Sequence, residues 1–448
     1  MKVLTVTLGI LAGAVLVIAQ SSGRSYSPSR IWWDSGQGGL LPWSEDYDNP
    51  EGMLGIVNRD GAVNTEGHPF FEALGTNGRA CITCHQPSNA MSVSVEAIRR
   101  RWLDTDGKDP VFAAVDGSDC PNLPQGDARS HSMLINRGLF RIALPWPPKA
   151  ANGKAIQPDF KLEVERDRIG CNLDPQFGLK SSNAAVSVYR RPRMAANLAY
   201  LTDGETGVPL RIRLMTDGRE ASLLDQAMTA IRGHEEAASL PSREKLLQIV
   251  SFERQIFTAQ SGDSRGGLLT ETDGPALLGP KNLAGGKAVT PVAASLVALA
   301  GWIDPPGPQI AEFQKQFRES VTRGSALFAK DTCARCHSAG AAATPMEIGT
   351  VNRQSPNEAG PLPLFKVTCD SGKVMYTEDP GRAMITGRCA DVGAIVMQQL
   401  RGLAARGPYF ANGSARTLRD VIDFYDKRLK IGYSEQEKQD LENFLKVL

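Results

Sequence analysis

The chain has almost no net charge to offer a polyanion: 50 Lys and Arg stand against 49 Asp and Glu, a formal +1 at pH 7. No Lys/Arg block interrupts its 448 residues, so nucleic acid is not an expected partner. Long apolar runs are missing beyond the N-terminus. No later segment therefore offers the ~20 apolar residues of a membrane span. Strand-like stretches are few and short, and the fold expected from them is mainly α. Histidine and cysteine are scarce too, at 5 and 8 residues, which makes their placement informative.

Two of those histidines and four of those cysteines form two copies of one pentapeptide, Cys81-Ile82-Thr83-Cys84-His85 and Cys333-Ala334-Arg335-Cys336-His337. Cys-x-x-Cys-His is the attachment site of a c-type haem. Two thiols one helical turn apart can each bond a vinyl group, and the adjacent histidine is delivered to the iron as axial ligand. The sequence thus predicts two covalent haem c groups, on Cys81, Cys84 and His85 and on Cys333, Cys336 and His337. A zinc site would need four clustered ligands, and no further Cys or His lies near either pentapeptide.

Met1 and Lys2 lead into an apolar run from Val3 to Ala19 and then Gln20-Ser21-Ser22, the pattern of a secretory signal cleaved near Ala19. Export to an oxidising compartment, most simply a bacterial periplasm, suits both haem attachment and disulfides, with no membrane association after signal removal. The remaining cysteines fall as neighbouring pairs, and Cys120–Cys171 and Cys369–Cys389 are expected to be bridged. The expected organisation is a signal over 1–19, an N-terminal haem domain over 20–260, a Gly/Pro/Ala-rich linker over 261–308 and a C-terminal cytochrome c domain over 309–448. Within the first haem domain, about 91–187 reads as a long irregular insertion covering the haem. In the last domain, apolar residues from Phe313 to Phe328 recur at helical spacing into Cys333. Ser434-Glu435-Gln436-Glu437 has the form of a capping box before a final helix.

Arg190-Arg191-Pro192-Arg193, Asn197 and Asp217-Gly218-Arg219-Glu220-Ala221-Ser222-Leu223 with Gln226-Ala227 resemble the segment between the haems of bacterial di-haem cytochrome c peroxidases and the related MauG enzymes. Asp379-Pro380-Gly381-Arg382, Leu400-Arg401-Gly402-Leu403, Pro408-Tyr409-Phe410 and Asn412-Gly413-Ser414 are similarly characteristic. The resemblance covers most of 70–448 outside the insertion, and does not separate the superfamily's members.

By that resemblance Gln226 and Glu236 overhang the open face of the first haem, where a carboxylate can take a proton from bound peroxide and return it to the leaving oxygen. His234 competes with Glu236 for this role. Tyr425 matches the position of the second haem's axial residue, with Met384 and Met397 as alternatives. The family tryptophan before Asp-Gly-Arg is replaced by Thr216, the histidine after Pro-Tyr-Phe by Ala411, and no histidine lies between His85 and His131. Asn197 and the carbonyl near Pro408 match part of a family calcium site, but Arg406 stands where a small ligand residue is expected. The expected function is that of an exported di-haem oxidoreductase, a peroxidase acting on hydrogen peroxide or oxygen with a small cytochrome or cupredoxin as electron donor. The alternatives are MauG-style oxidation of a substrate, a non-catalytic electron carrier, and a haem oxygenase acting on an organic substrate.

Overall fold

The computed structural model describes residues 30–150, 152–209, 213–269, 275, 278–286, 299, 302–303, 309–330, 333–337 and 360–448, without the side chains of 335 and 336. The expected signal over 1–19, most of the linker over 261–308 and the Cys336 thiol lie outside the described residues. Among these residues no helix is long and apolar enough to cross a membrane.

The mainly α expectation is wrong: the fold is mixed α/β, 34% helix and 19% strand, with five sheets among the described residues. The largest is antiparallel, in the order Gly267–Leu268, Ile256–Asp263, Gly52–Asn58, Ser44–Asn49. A second joins Val374–Thr377, Leu364–Cys369 and Phe160–Arg166. A third pairs Phe140–Pro145 with Ala185–Arg190. Two physical causes hide these strands from the sequence. Ile256–Asp263 is buried at every position, so it lacks the alternation that a half-exposed strand shows. It also runs directly on from the helix Arg243–Gln255. The segment expected to be an irregular insertion is likewise ordered, with a helix over Val95–Thr105 and strands over Phe140–Pro145 and Phe160–Arg166. Its strand Phe160–Arg166 pairs with Leu364–Cys369, from the far end of the chain.

Around the second pentapeptide the helices are where the apolar spacing puts them. Glu312–Lys330 leads toward the turn Cys333–Cys336 and packs against Glu435–Lys446. Ser434 caps the latter with the expected box, its hydroxyl accepting from the Glu437 amide while the Glu437 carboxylate accepts from the Ser434 amide. The two helices meet at Gly324, where a Cβ would lie 1.9 Å from the Asp440 carbonyl oxygen. Beside it, Asp440 accepts from Ser320 at 2.6 Å and from Arg323 at 2.8 Å. Both expected cysteine pairs, Cys120–Cys171 and Cys369–Cys389, are disulfides.

The motif residues of the two halves converge in the interior. Arg190 donates to Asp217 at 2.6 Å and to Asp379 at 2.7 Å, and Arg219 donates to Asp217 at 2.6 Å. Burial opposes charging of Arg190, but its two carboxylates outweigh that and raise its pKa; those of Arg190 and Arg219 hold Asp217 below the usual carboxylate range despite burial.

Candidate functional site

Cys81–Cys84 forms a single helical turn whose thiols both open onto one cavity. Burial, with Glu235 nearby, pushes the Cys81 thiol well up, and burial pushes that of Cys84 to about 12. Both are therefore thiols at neutral pH and are not bridged to each other. His85 follows and lines the same cavity, its Nδ1 hydrogen-bonded to the Met91 carbonyl at 2.9 Å. Ala90 and Met91 both adopt positive φ, which turns that carbonyl back onto the imidazole. Burial lowers the imidazole pKa to about 4. The ring is neutral, and the nitrogen left over is Nε2, the form that binds a metal.

A further part of the wall comes from the helix Leu223–His234, which Ser222 caps through the Asp225 amide at 3.0 Å. Gln226, Ala230 and His234 follow one another at i, i+4, i+8, so one helix face lines the cavity. Phe140 and Ile142 from the third sheet and Met194, Ala195 and Leu198 complete the apolar lining. Arg190, Arg193 and Arg219 also reach the wall, as does Thr216. The space enclosed is about 1230 Å³, its open mouth included.

Of the two predicted acid/base residues, Gln226 is in this wall and its Oε1 is buried without a hydrogen-bond partner among the described residues. Glu236 is not in the wall. It is exposed, adopts φ 55°, and accepts a hydrogen bond from Asn77 at 3.0 Å on the outer surface. The preceding residue, Glu235, turns inward: its Oε2 accepts from the Leu74 amide at 2.9 Å and its Oε1 lies 3.7 Å from the Cys81 sulfur. Burial raises the Glu235 carboxyl to about 7. A further acid, Glu253, lines the cavity with Oε2 unpartnered among the described residues, and burial raises it to about 8. Its position was legible, because Leu246, Ile249, Val250 and Glu253 share one face of the helix Arg243–Gln255 and the acid interrupts an apolar stripe.

His131 plays no part in the cavity. It is buried beside Trp102 and Phe112, with Nδ1 at 2.8 Å from the Gly117 carbonyl and Nε2 at 2.9 Å from that of Gln125. Asp116 is a wall residue with no signal in the sequence. It comes from the segment over 91–187 and receives both Arg79 and His234.

At the second pentapeptide, Cys333 and Ala334 pack on the core that holds Phe317, Val321 and Phe328. His337 lies beside Phe328 with ring centroids 6.5 Å apart, and burial lowers its pKa to about 4. Tyr425 is on the helix Leu418–Leu429 and meets Phe424 and Phe410 edge-on, at 5.3 and 6.0 Å. Met384 sits in the core of the second sheet, and Met397 is buried, its carbonyl accepting from Arg193 at 2.6 Å. The Asn197 side chain pairs with both backbone groups of Thr258, at 2.9 and 3.0 Å, and the buried Arg406 guanidinium donates to the carbonyls of Gln399 and Arg401. Of the positions compared with a calcium site, Asn197 and Arg406 are thus engaged in protein contacts.

No family model matches the chain. Over 148 residues it is 28% identical to the cytochrome-c peroxidase IdrP1 of Denitromonas iodatirespirans, an alignment covering 28% of this chain and 39% of that relative. The chain thus spans about two fifths of the length of the curated relative it matches.

Proposed function

We propose that the chain is an exported di-haem c oxidoreductase that reduces hydrogen peroxide, with one haem in the cavity of Cys81, Cys84 and His85 and the other on Cys333, Cys336 and His337. One observation carries this reading: Cys81, Cys84 and His85 line a single cavity together with a polar residue, Gln226. The residues fit a haem. The thiols are one helical turn apart, His85 Nε2 is left free by the Met91 contact, and the walls are largely apolar. The similarity to a cytochrome-c peroxidase supports the same chemistry.

A bound haem would supply the iron at which peroxide is activated. The chain's own part is to hold and orient. Met91 fixes the His85 ring, the buried walls keep bulk water out, and the Gln226 amide is placed to hydrogen-bond peroxide or its water. The second site would serve as an electron reservoir, with His337 and Tyr425 as the residues that would hold its iron, and a small cytochrome or cupredoxin would bring the two electrons that peroxide needs. The test is intact mass of the protein exported from a host with haem-maturation machinery, followed by rapid mixing of the half-reduced protein with peroxide. Two haem additions and a peroxide-dependent absorbance change are expected. A mass matching no haem, or two haems inert to peroxide, overturns the reading.

A further inference from the structure

We propose that His234, aimed by Asp116, is the proton-transfer residue of the cavity, so that the segment over 91–187 supplies part of the active site; this rests on the peroxidase reading above.

The geometry is that of a base held by an acid. His234 is the last residue of the helix whose face lines the cavity, one turn beyond Ala230 and two beyond Gln226. Its Nδ1 lies 2.5 Å from Asp116 Oδ2, while Nε2 has no protein partner among the described residues. Asp116 is itself fixed from the other side: its Oδ1 accepts from Arg79, whose Nε and Nη2 donate to the Pro110 and Val111 carbonyls at 2.7 Å each. Asp116 therefore has one carboxylate oxygen for the guanidinium and one for the imidazole. Burial alone would raise its pKa, but Arg79 and His234 outweigh it and hold it low. An ionised carboxylate at Nδ1 selects the tautomer with the proton on Nδ1 and leaves the Nε2 lone pair for chemistry.

The neighbouring acids are differently employed. Glu235 Oε2 is held by the Leu74 amide with Oε1 turned to the Cys81 sulfur, and Glu236 faces outward. Glu235 anchors the strand of chain that enters the pentapeptide, whereas His234 keeps a free nitrogen in the wall. In the proposed step Nε2 takes the proton from one peroxide oxygen and passes it to the other. The O–O bond breaks with its electron pair on the second oxygen, which leaves as water. The two electrons come ultimately from the donor protein, and two protons from solvent complete the other water.

The test compares wild type with His234→Gln and Asp116→Asn, each first shown by mass to carry both haems. Three ligands are mixed rapidly with the protein: peroxide and hydrogen cyanide, which must each lose a proton on binding, and carbon monoxide with the reduced protein, which loses none. Proton-transfer assistance is typically worth about 10²- to 10⁴-fold. The His234→Gln rates for peroxide and cyanide should fall by that order, those of Asp116→Asn should fall less, and carbon monoxide should be unaffected in both. Equal loss for all three ligands would mean a structural role and overturn the inference. So would wild-type cyanide and peroxide rates in His234→Gln, which leaves the peroxidase reading standing. If His234→Gln fails to mature, Asp116→Asn decides on the same criteria. A wild type that carries two haems but ignores peroxide sinks the underlying reading instead.

Discussion

Glu235 and Glu236 are adjacent in the chain and face opposite ways, the first 3.7 Å from the Cys81 sulfur and the second bonded to Asn77 on the surface. The positive φ of Glu236 makes the difference, because it ends the helix and reverses the side-chain direction at a single residue. The helix end is also closed by the chain entering the first pentapeptide. Thr76 donates its amide to the Glu235 carbonyl at 3.0 Å, and a Cβ on Gly75 would lie 1.7 Å from that oxygen. Glu236→Gln should therefore leave the peroxide and cyanide rates unchanged. Glu235→Ala strips the Leu74 amide of its buried partner and should cost about 1–3 kcal/mol of stability. Chemical denaturation of the two variants, beside their rapid-mixing rates, checks both statements.

Glu253 makes stability depend on pH. Its carboxyl is raised to about 8 by burial, whereas an unfolded glutamate titrates near ~4.3. Between those values the folded state holds a proton that the unfolded state releases, so the stability that this group contributes falls as pH rises and levels off above about 8. The slope is about 1.4 kcal/mol per pH unit. Glu253→Gln should remove this dependence and be the more stable protein at pH 7. Denaturation midpoints of both proteins from pH 5 to ~8 measure it, and parallel curves would contradict it.

The Arg190 cluster should tolerate no single removal. Asp217 is fully buried between two guanidinium groups, and taking one partner from a buried pair leaves an uncompensated charge that costs about 3–5 kcal/mol. Arg190→Ala should thus destabilise by that amount, and Asp379→Ala by less, because Asp379 is the more exposed carboxylate. Urea titration of each variant, with the double variant to test coupling, gives the numbers.

Gly324→Ala tests the helix crossing. The added methyl meets the Asp440 carbonyl at 1.9 Å, a backbone atom that cannot rotate away, so the helices must separate. Overpacking of this kind costs typically about 1–3 kcal/mol and occasionally more. A midpoint equal to wild type would show that the helices shift at no cost.

Tyr425→Phe keeps the edge-on contacts with Phe424 and Phe410 and removes only the hydroxyl. The low-spin resonance of the haem proposed on His337 should shift or vanish in an electron paramagnetic resonance spectrum. An unchanged spectrum would hand the axial role to Met384 or Met397 as sequence candidates, although Met384 lies in the core of the second sheet.

The features legible in the sequence are those that a few neighbouring residues decide among themselves. The turn geometry of Cys81–Cys84 and Cys333–Cys336, the box of Ser434 and Glu437 and the apolar face leading to Phe328 each involve partners within a helical turn or two, so spacing alone specifies them. The cysteine pairs were legible for a different reason, there being few ways to pair so few thiols. Only the tertiary structure decided the mixed fold and the polar wall of the cavity. Phe160–Arg166 finds its partner in Leu364–Cys369, and fully buried strands carry no alternating pattern. Asp116 reaches His234 across 118 positions of sequence, and whether Glu235 or Glu236 faces inward depends on one residue's φ at a helix end. Such choices rest on long-range packing energies, which no local pattern of residues records.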